Sequence, residues 1–510
     1  MHRLEDGQSV AARLQQEAGV APVFEASLTE AGQALLAIAG RGSRKRLLVA
    51  GSLEGVAGEL RGNMALPHCE GPVPLRVCSL SAGNARAVLR GISGPRLDVL
   101  DRQRASFGFG DRIGRFTPPL LRAVMRLGLA DRMSVVPAQM SVRELERIQK
   151  GYRPDLCVED ILARAVFGAL EVGWRGAIGF DADHIKSHDW LERYLRDGQA
   201  TLVTLDLIEH VRSKRAISEQ NRQALLDAVP WRELQTSWAD AKARYADRHA
   251  AADEEALAAF YVQYGEAVRH AAEMICAGVA AARGQIQFEI STDELDEVTE
   301  PISVWLMLQE LQRLLGDRHF ATIVSVAPRF RGIAEKGVNW HGPLTEFKAH
   351  AQGLAQALAD HPGIRISLHS GSDKFQVYST LRAVFGHRLH IKTAGTWWLE
   401  LVRCVANLEP ELFRRMAERI QDQDFALWKR ERASYHVSAE PGRAGSIGGI
   451  DPRYYMSLMD GLEWRQMFHV CYGPLLEEFR GEINAFLDRN EEWVYQFVED
   501  HARKHLSLLV

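Results

Sequence analysis

The sequence lacks the features that mark membrane proteins, secreted proteins and several common enzyme classes. No apolar stretch approaches the roughly 20 residues that span a bilayer, and the amino-terminal MHRLEDGQSVAARLQQ has no apolar run behind its charges. Neither a transmembrane helix nor a signal peptide is therefore expected. The chain also contains no P-loop, GxSxG or HExxH motif, so none of the enzyme types that carry these motifs is indicated.

Neither charge nor cysteine content points to an unusual partner or compartment. The formal net charge of the 510 residues is −4, with 25% charged and 46% hydrophobic residues, which gives no electrostatic reason to expect a nucleic acid or a membrane surface as partner. The cysteines form no CxxC pair, which favours free thiols in a cytoplasmic protein. The six are Cys69, Cys78, Cys157, Cys276, Cys404 and Cys471.

From residue 104 onward the chain contains a repeated unit in which a helix follows a short strand. Such alternation implies a parallel sheet, and eight units are the count of a closed (β/α)8 barrel of the TIM type; an open doubly wound sheet is the alternative. Period-two apolar patterns predict the strands Ala105–Gly110, Met133–Gln139, Gly176–Ala182, Ala200–Leu205, Gly284–Ile290, Thr322–Val326, Ile364–Leu368 and Leu389–Ile391. The predicted helices include Pro118–Leu129, Leu162–Val172, Asp189–Leu195, Ile302–Leu315 and Leu344–Leu358.

This pattern divides the chain into three regions. We predict a small N-terminal α/β unit in residues 1–103, the barrel in residues 104–408 and a mainly helical extension in residues 409–510. Residues 209–283 are too long and too helical for one connection, so we expect an inserted helical hairpin beside or over the barrel mouth. In the extension, the turn-rich Glu440–Gly449 is open to three interpretations: a lid, an anion-binding nest or a plain surface loop.

Polar residues accumulate where the predicted strands end. The active sites of such barrels lie at the carboxyl ends of the strands, and a purely structural strand end supplies a capping Asp or Ser, not pairs of His, Lys and Arg. The polar strand ends are Asp111, Arg112, Gln139, Asp181, Asp183, His184, Asp206, Glu289, Asp293, Arg329, His369, Ser370, Asp373, Lys374, Lys392 and Thr393.

Two histidines and three carboxylates of this set suggest chemistry. His184 and His369 follow the third and seventh strands, and two imidazoles with a further oxygen or nitrogen donor form a normal site for a divalent metal. Asp183 adjoins His184, and Glu289 or Asp293 follows from the opposite side of the barrel, so these carboxylates are candidates for proton transfer. The simpler interpretation of Asp183 is a capping or solvated carboxylate.

The first strand ends in a glycine-rich loop, Gly108-Phe-Gly-Asp-Arg-Ile-Gly114, that only partly matches a dinucleotide fingerprint. Its spacing is GxGxxxG, and Thr117–Pro119 begins the next helix after the last glycine. Because a Rossmann loop passes from strand to helix within the glycines, nicotinamide binding is not indicated. Asp111 and Arg112 better fit a pair that grips substrate hydroxyls or a carboxylate.

Several runs between about residues 100 and 475 together resemble the tagaturonate epimerase family of bacterial hexuronate catabolism. They are GFGDRIGRFTP (108–118), GFDADHIK (179–186), FEISTDE (288–294), APRFRGIAEKGV (327–338), SLHSGSDKF (367–375), HIKTAGT (390–396) and YHVSA (435–439). The resemblance implies a metal-dependent barrel isomerase that interconverts D-tagaturonate and D-fructuronate. It also implies a metal-binding side chain in Gly337–Gly342, where Asn339 and His341 are both open.

The substrate that the resemblance implies favours a particular mechanism. The third carbon, counted from the carboxylate, differs between the two uronates and is α to neither the carboxylate nor the ketone, so we expect retro-aldol cleavage and rejoining in place of simple deprotonation. We expect metal binding by His184, His341 and His369, proton transfer by Asp183, Glu289 and Asp293, and substrate binding by Asp111, Arg112, Gln139, Arg329, Ser370, Asp373, Lys374 and Lys392. The divalent cation is left open among Zn, Mn, Ni and Co.

Other functions remain open at this point. The same barrel suits an epimerase of uncharged ketohexoses such as fructose and tagatose, a metal-dependent aldolase or isomerase, or a sugar-binding protein without catalysis, because fold alone does not specify a reaction. The expected partner is a small sugar acid or ketose in the cytoplasm, with no nucleic acid and no membrane. The oligomeric state is open and includes a homo-oligomer.

Overall fold

The computed structural model describes residues 22–52, 54–64, 75–218, 221–245, 248–249 and 251–509. Cys69 lies outside the described residues. Within them, no helix combines the length and the apolar character that crossing a membrane requires. The described cysteines, which are all free thiols, are Cys78, Cys157, Cys276, Cys404 and Cys471.

A parallel β-sheet rolled into a barrel forms the centre of the chain and confirms the predicted TIM-like class. Every neighbouring pair of barrel strands is parallel, and the eighth strand pairs with the first, with His390 opposite Ser106. All eight predicted strands are present. In chain order they are Ala105–Phe109, Met133–Val136 continued by Ala138–Ser141, Phe180–Ile185, Leu202–Asp206, Gln287–Ser291, Ile323–Ala327, Arg365–Leu368 and Leu389–Thr393.

The second strand is split by Pro137. A proline interrupts the strand because it has no N–H to donate to the ladder. The first half of the strand pairs with the first strand, and the second half pairs with the third strand. The third strand begins later than predicted. Ala177–Ile178 pairs with Arg96–Leu97 in a separate two-stranded parallel sheet, and the barrel strand starts only at Phe180.

Helices surround the barrel, and the five predicted ones are present with shifted ends. The predicted Pro118–Leu129, for example, is Thr117–Arg126, with its prolines in the first helical turn, where a missing N–H costs nothing. The helices that follow the strands are Thr117–Arg126, Val142–Lys150, Val158–Glu171, His188–Arg193, Glu254–Ala281, Pro301–Phe320, Leu344–Ala357, Phe375–Phe385 and Gly395–Leu408.

Alternation along the strands points polar side chains into the barrel. In Gln287–Ser291 every residue is buried, and the Phe288 ring lies against Gly278 of the surrounding helix. Glu289 therefore points inward, where the hydroxyls of Thr204 and Ser325 donate to its carboxylate. Polar side chains thus fill this part of the barrel interior.

The region predicted as an inserted hairpin contains two short helices, Arg222–Asp227 and Trp238–Tyr245, and one long helix, Glu254–Ala281. The long helix packs against the neighbouring helices His188–Arg193 and Pro301–Phe320. It therefore occupies the position of the helix that follows the fourth strand. The segments before it are the ones that depart from the strand–helix repeat.

An antiparallel five-stranded sheet precedes the barrel. Its strands, in chain order, are Thr29–Ala31, Ala34–Ala39, Arg46–Gly51, Gly62–Met64 and Leu75–Cys78. The following helix Ala82–Gly91 packs against the barrel helix Val158–Glu171. The buried ammonium of Lys45 connects the regions further, because it lies 2.7 Å from Glu171 and 2.9 Å from Glu491.

Helices and 3-10 turns form the chain after the barrel. Between the helices, the turn-rich Glu440–Gly449 contains the 3-10 turns Pro441–Arg443 and Ile447–Gly449. The final helix packs against Thr117–Arg126 and Gly395–Leu408, so it covers the seam between the first and last barrel units. The longer helices here are Pro410–Glu431, Leu462–Val470, Arg480–Arg489 and Glu491–Ser507.

Candidate active site

A polar cleft of about 680 Å³ opens at the carboxyl ends of the strands. It continues into a second lobe of about 660 Å³, and both lobes share His369, Ser370 and Lys336. Two of the cleft residues, His184 and Ser370, have positive φ values of 55° and 49°, a strained conformation that clusters at functional sites. The predicted site residues that line one lobe or both are Arg112, Gln139, Asp183, His184, Asp293, Arg329, His369, Ser370 and Lys392.

His184, Asp293 and His369 converge in the cleft. Their nearest ligand atoms all lie within 4.8 Å of one another, and the two imidazole ring centres are 5.1 Å apart. His369 Nδ1 lies 2.9 Å from Asp293 Oδ1. An imidazole nitrogen and a carboxylate oxygen that face each other in this way are both suited to bind one divalent cation.

Each of these histidines is held by a carboxylate on its other ring nitrogen. His184 Nδ1 lies 3.2 Å from Asp206 Oδ2, and His369 Nε2 lies 2.6 Å from Glu289 Oε1. Carboxylates in this position orient metal-binding imidazoles and leave the facing nitrogen free for the ion. The residues therefore fit a divalent cation bound through His184 Nε2, His369 Nδ1 and the Asp293 carboxylate.

The electrostatics of this group also favour a positive ion. Burial acts to lower the pKa of both imidazoles, yet the neighbouring carboxylates outweigh it. Asp183 and Asp206 raise the pKa of His184 to about 10, and Asp293 and Glu289 raise the pKa of His369 to about 9. The protein thus stabilises positive charge at this point, which a divalent cation supplies.

The predicted third ligand is not in this group. His341 is exposed, and its backbone pairs with Ile333. The Asn339 side-chain oxygen accepts the N–H groups of Trp340 and Gln376. Asp293, which the sequence suggests for proton transfer, lies beside the two histidines instead. Its neighbours in sequence gave no indication of this, because the distance to His369 depends on the path of two separate loops.

A second cluster surrounds the buried ammonium of Lys392. Its Nζ lies 2.6 Å from Asp181 Oδ2 and 2.7 Å from Thr204 Oγ1, and it also donates to Asp183. Burial raises the pKa of Asp181 to about 6 against the effect of Lys392. Burial acts in the same direction on Asp183, but there Lys392 and the two histidines lower the pKa. Asp183 is therefore ionised, and because it lines the cleft, a ligand there meets its carboxylate.

Glu289 lies behind the cleft wall. Its side chain is fully buried, accepts from Ser325 Oγ at 2.5 Å and contacts His369 Nε2. This geometry places Glu289 as a residue that positions His369, out of reach of a ligand in the cleft. The sequence suggested Glu289 for proton transfer, but the imidazole that covers it is contributed by a different strand.

In the glycine-rich loop after the first strand, the side chains of Asp111 and Arg112 point to different surroundings. The Asp111 carboxylate accepts the backbone N–H groups of Ile113, Gly114 and Phe116, so it closes the loop and does not contact a ligand. Arg112 does line the cleft, where it pairs with Glu144 at 2.7 Å and its guanidinium lies 3.9 Å from the centre of the Tyr472 ring. The predicted Asp–Arg pair is not formed.

The residues that follow the seventh strand likewise differ in direction, because some side chains line the cleft and others are buried in the core. Lys374 Nζ donates to the backbone carbonyls of Glu335, Val338 and Ser372, and burial lowers its pKa to about 7. Lys374 therefore braces the loop that follows the sixth strand. Asp373 is buried in the opposite direction, against the C-terminal helices, and so neither residue lines the cleft as predicted.

Asp373 belongs to a charged network that joins the seventh strand to the C-terminal region. Arg465 lies 2.9 Å from one carboxylate oxygen and His501 lies 2.7 Å from the other. The backbone N–H of Asp373 donates to His505 Nε2, while His505 Nδ1 pairs with the His501 carbonyl. Both nitrogens of His505 are thus occupied, which makes this cluster of Asp and His a structural one.

Replacing Asp373 with asparagine is expected to destabilise the fold by about 2 to 3 kcal/mol, the usual scale for a lost hydrogen bond to a charged group. Among the described residues, the buried Arg465 then keeps only Glu400, at 3.3 Å, as a carboxylate partner. Thermal denaturation measures the loss, and the exposed Asp424→Asn serves as the control. Below the denaturation temperature the KM for sugar should stay near that of the wild type. A large rise in KM without a loss of stability would return Asp373 to the substrate site.

Several residues of the cleft escaped the sequence analysis. Lys336 and Tyr435 lie within the resembling runs 327–338 and 435–439, which was an available indication. His469 lies in helix Leu462–Val470, where its sequence context is that of an ordinary core residue. No residue of Glu440–Gly449 lines either lobe, whereas Tyr435 just before it lines both.

The barrel fold and the polar cleft at its strand ends define an enzyme of the (β/α)8-barrel class. A model of the UxaE tagaturonate epimerase family matches residues 24–509, so the chain belongs to the tagaturonate epimerase family and is an isomerase of the epimerase type. The tagaturonate/fructuronate epimerase of Thermotoga maritima is 32% identical over 409 residues, which cover 80% of this chain and 81% of that protein.

Solved structures agree with this membership. The glycerol-complexed fructuronate–tagaturonate epimerase UxaE from Cohnella laeviribosi superposes with a TM-score of 0.84 at 28% identity, covering 99% of both chains. The native structure of that enzyme gives the same score and identity over 98% of this chain and 99% of the other. The resemblance that the sequence motifs indicated is thereby confirmed.

Proposed function

We propose that this protein interconverts D-tagaturonate and D-fructuronate, the reaction named for its relatives from Thermotoga maritima and Cohnella laeviribosi, and that the reaction depends on a divalent cation. The cation dependence is supported by the convergence of His184, Asp293 and His369, with a carboxylate behind each imidazole. When bound, such an ion supplies positive charge for oxygen atoms that become negative as a carbon–carbon bond breaks.

The proposed reaction is retro-aldol cleavage followed by rejoining. The base Asp183 removes the proton from the hydroxyl on the third carbon, and the electrons of that O–H bond form the aldehyde carbonyl. The bond between the third and fourth carbons breaks, and its electron pair forms a double bond between the fourth and fifth carbons. The ketone oxygen takes up the negative charge of the resulting enediolate. Turning the aldehyde and re-forming the same bond on its other face inverts the third carbon, so no atom is gained or lost.

Asp183 suits the role of base because it is ionised and lines the cleft. Its salt bridge to Lys392 is shared with Asp181, so proton uptake does not leave the lysine unpaired. Rejoining on the other face requires a second donor. Because Glu289 is buried behind His369 and Asp293 fits the cation, we assign this role to the Ser370 hydroxyl, which accepts from Lys336 and so directs its own hydrogen elsewhere. After product release, Asp183 gives its proton to solvent and Ser370 regains one from solvent, so the protons balance over a turnover.

Removing divalent cations tests the proposal directly. Treatment with a chelator is expected to abolish the interconversion of D-tagaturonate and D-fructuronate, and adding back Zn, Mn, Ni or Co one at a time should restore it and identify the preferred ion. D-fructose and D-tagatose, assayed alongside, test the alternative of a neutral ketohexose epimerase. Full activity of metal-free protein would contradict the metal dependence, and a preference for the neutral sugars would replace the substrate.

A further inference from the structure

Most positive charges that line the cleft already have carboxylate partners. Arg112 lies 2.7 Å from Glu144, and Arg143 lies 3.0 Å from Glu294. Lys392 is enclosed by the carboxylates of the buried cluster. These cations are neutralised within the protein, so none of them offers an uncompensated charge to a ligand.

Lys336 differs from these residues. Its Nζ donates to Ser370 Oγ, and in the described part of the chain no carboxylate lies within 4.0 Å of it. It lines both lobes of the cleft. Burial lowers its pKa, with only partial opposition from Glu294. A partly buried cation without a counter-charge is costly, and an anionic ligand would remove that cost.

His469 lies on the same wall. It is 3% exposed and lines the first lobe with Lys336, yet neither ring nitrogen has a hydrogen-bond partner among the described residues. Gly395 makes room for it, because a Cβ atom there would lie 2.1 Å from His469 Cε1. Burial and the positive charges of Arg112 and Lys336 hold the pKa of His469 far below its usual value, so the neutral ring keeps one N–H to donate.

We propose that Lys336 and His469 form the subsite that binds the carboxylate of the hexuronate. The ammonium supplies the charge, and the imidazole N–H donates to one carboxylate oxygen. The inference rests on the proposed function. Among the positively charged residues predicted to bind substrate, Lys374 donates to backbone carbonyls, and Arg112 and Lys392 are paired with carboxylates. The rival is Arg329, which also lacks a carboxylate within 4.0 Å in the described ranges but lines only the second lobe.

The test compares substrates with and without the acid group. Lys336→Gln keeps a donor for Ser370, and we expect it to lower kcat/KM for D-fructuronate by about 10- to 100-fold, mainly through KM, as for a lost hydrogen bond to a charged group. Inhibition by D-glycerate should weaken equally, whereas inhibition by glycerol should stay unchanged. His469→Gln should also weaken inhibition by D-glycerate but not by glycerol, with a smaller effect. Lys336→Arg should restore part of it, and the exposed Lys348→Gln is the control.

The outcomes separate this inference from the proposed function. If the wild type does not convert D-fructuronate, the proposed function fails, and that measurement involves no variant. If Lys336→Gln weakens glycerate and glycerol equally, or only Arg329→Gln shows the split, the subsite is wrong. It is also wrong if glycerate inhibition depends on added metal but not on Lys336, because the cation then binds the acid group.

Discussion

Replacing His369 with alanine is expected to remove the proposed divalent cation and to lower epimerase activity by more than about 100-fold, while the chain stays folded. Losing a carboxylate behind a ligand already costs about 10- to 100-fold in metal affinity or activity, so losing the ligand itself should cost more. His369 supplies Nδ1 to the group with His184 and Asp293. Metal analysis of the purified variant and circular dichroism measure the two parts of this expectation.

His341→Ala is the matched control for this variant. It removes a histidine that is exposed and lies outside the ligand group, so metal content and activity should stay at the wild-type level. The metal content and activity of Glu289→Gln should lie between those of His369→Ala and His341→Ala, because this change weakens the contact with His369 Nε2. Excess metal should restore the activity of Glu289→Gln. Unchanged metal content in His369→Ala would exclude this residue as a ligand, and metal loss in His341→Ala would restore the original assignment.

Replacing Asp183 with asparagine is expected to reduce turnover by about 100-fold or more, the usual scale for a general base, while metal stays bound. The amide cannot take up the hydroxyl proton, and Asp181 continues to pair with Lys392 at 2.6 Å. Steady-state kinetics in saturating metal, together with metal analysis, give the two readings. Turnover should fall without a comparable change in KM.

The competing explanation is that Asp183 only orients His184. The distances argue against it, because His184 Nδ1 lies 3.2 Å from Asp206, whereas Asp183 Oδ1 lies 3.8 Å from Nε2. Asp206→Asn is therefore the informative comparison, since it should weaken metal binding and recover with excess metal. If excess metal fully rescues Asp183→Asn as well, the base must be another residue of the cleft.

Much of the fold could be predicted from local pattern alone. Period-two alternation with helices between the strands is sufficient to specify eight parallel units, since each strand must bury one face against its helix. The predicted strand boundaries were wrong at two places, and in both the outcome depends on pairing with distant parts of the chain. Pro137 breaks the second strand, and Ala177–Ile178 pairs with Arg96–Leu97 outside the barrel. The partner of an edge segment depends on chain that is distant in sequence.

The sequence by itself determined which residues stand at the strand ends, because a parallel barrel brings all its carboxyl ends to one face. His184, His369 and Asp183 were therefore predictable as neighbours. Only the tertiary structure decided what each side chain contacts. Asp293 replaces His341 beside the histidines, and Lys374 turns to backbone carbonyls. The reason is physical: a loop residue can point into the cleft or the core at the same position in sequence, and packing of distant segments selects between them.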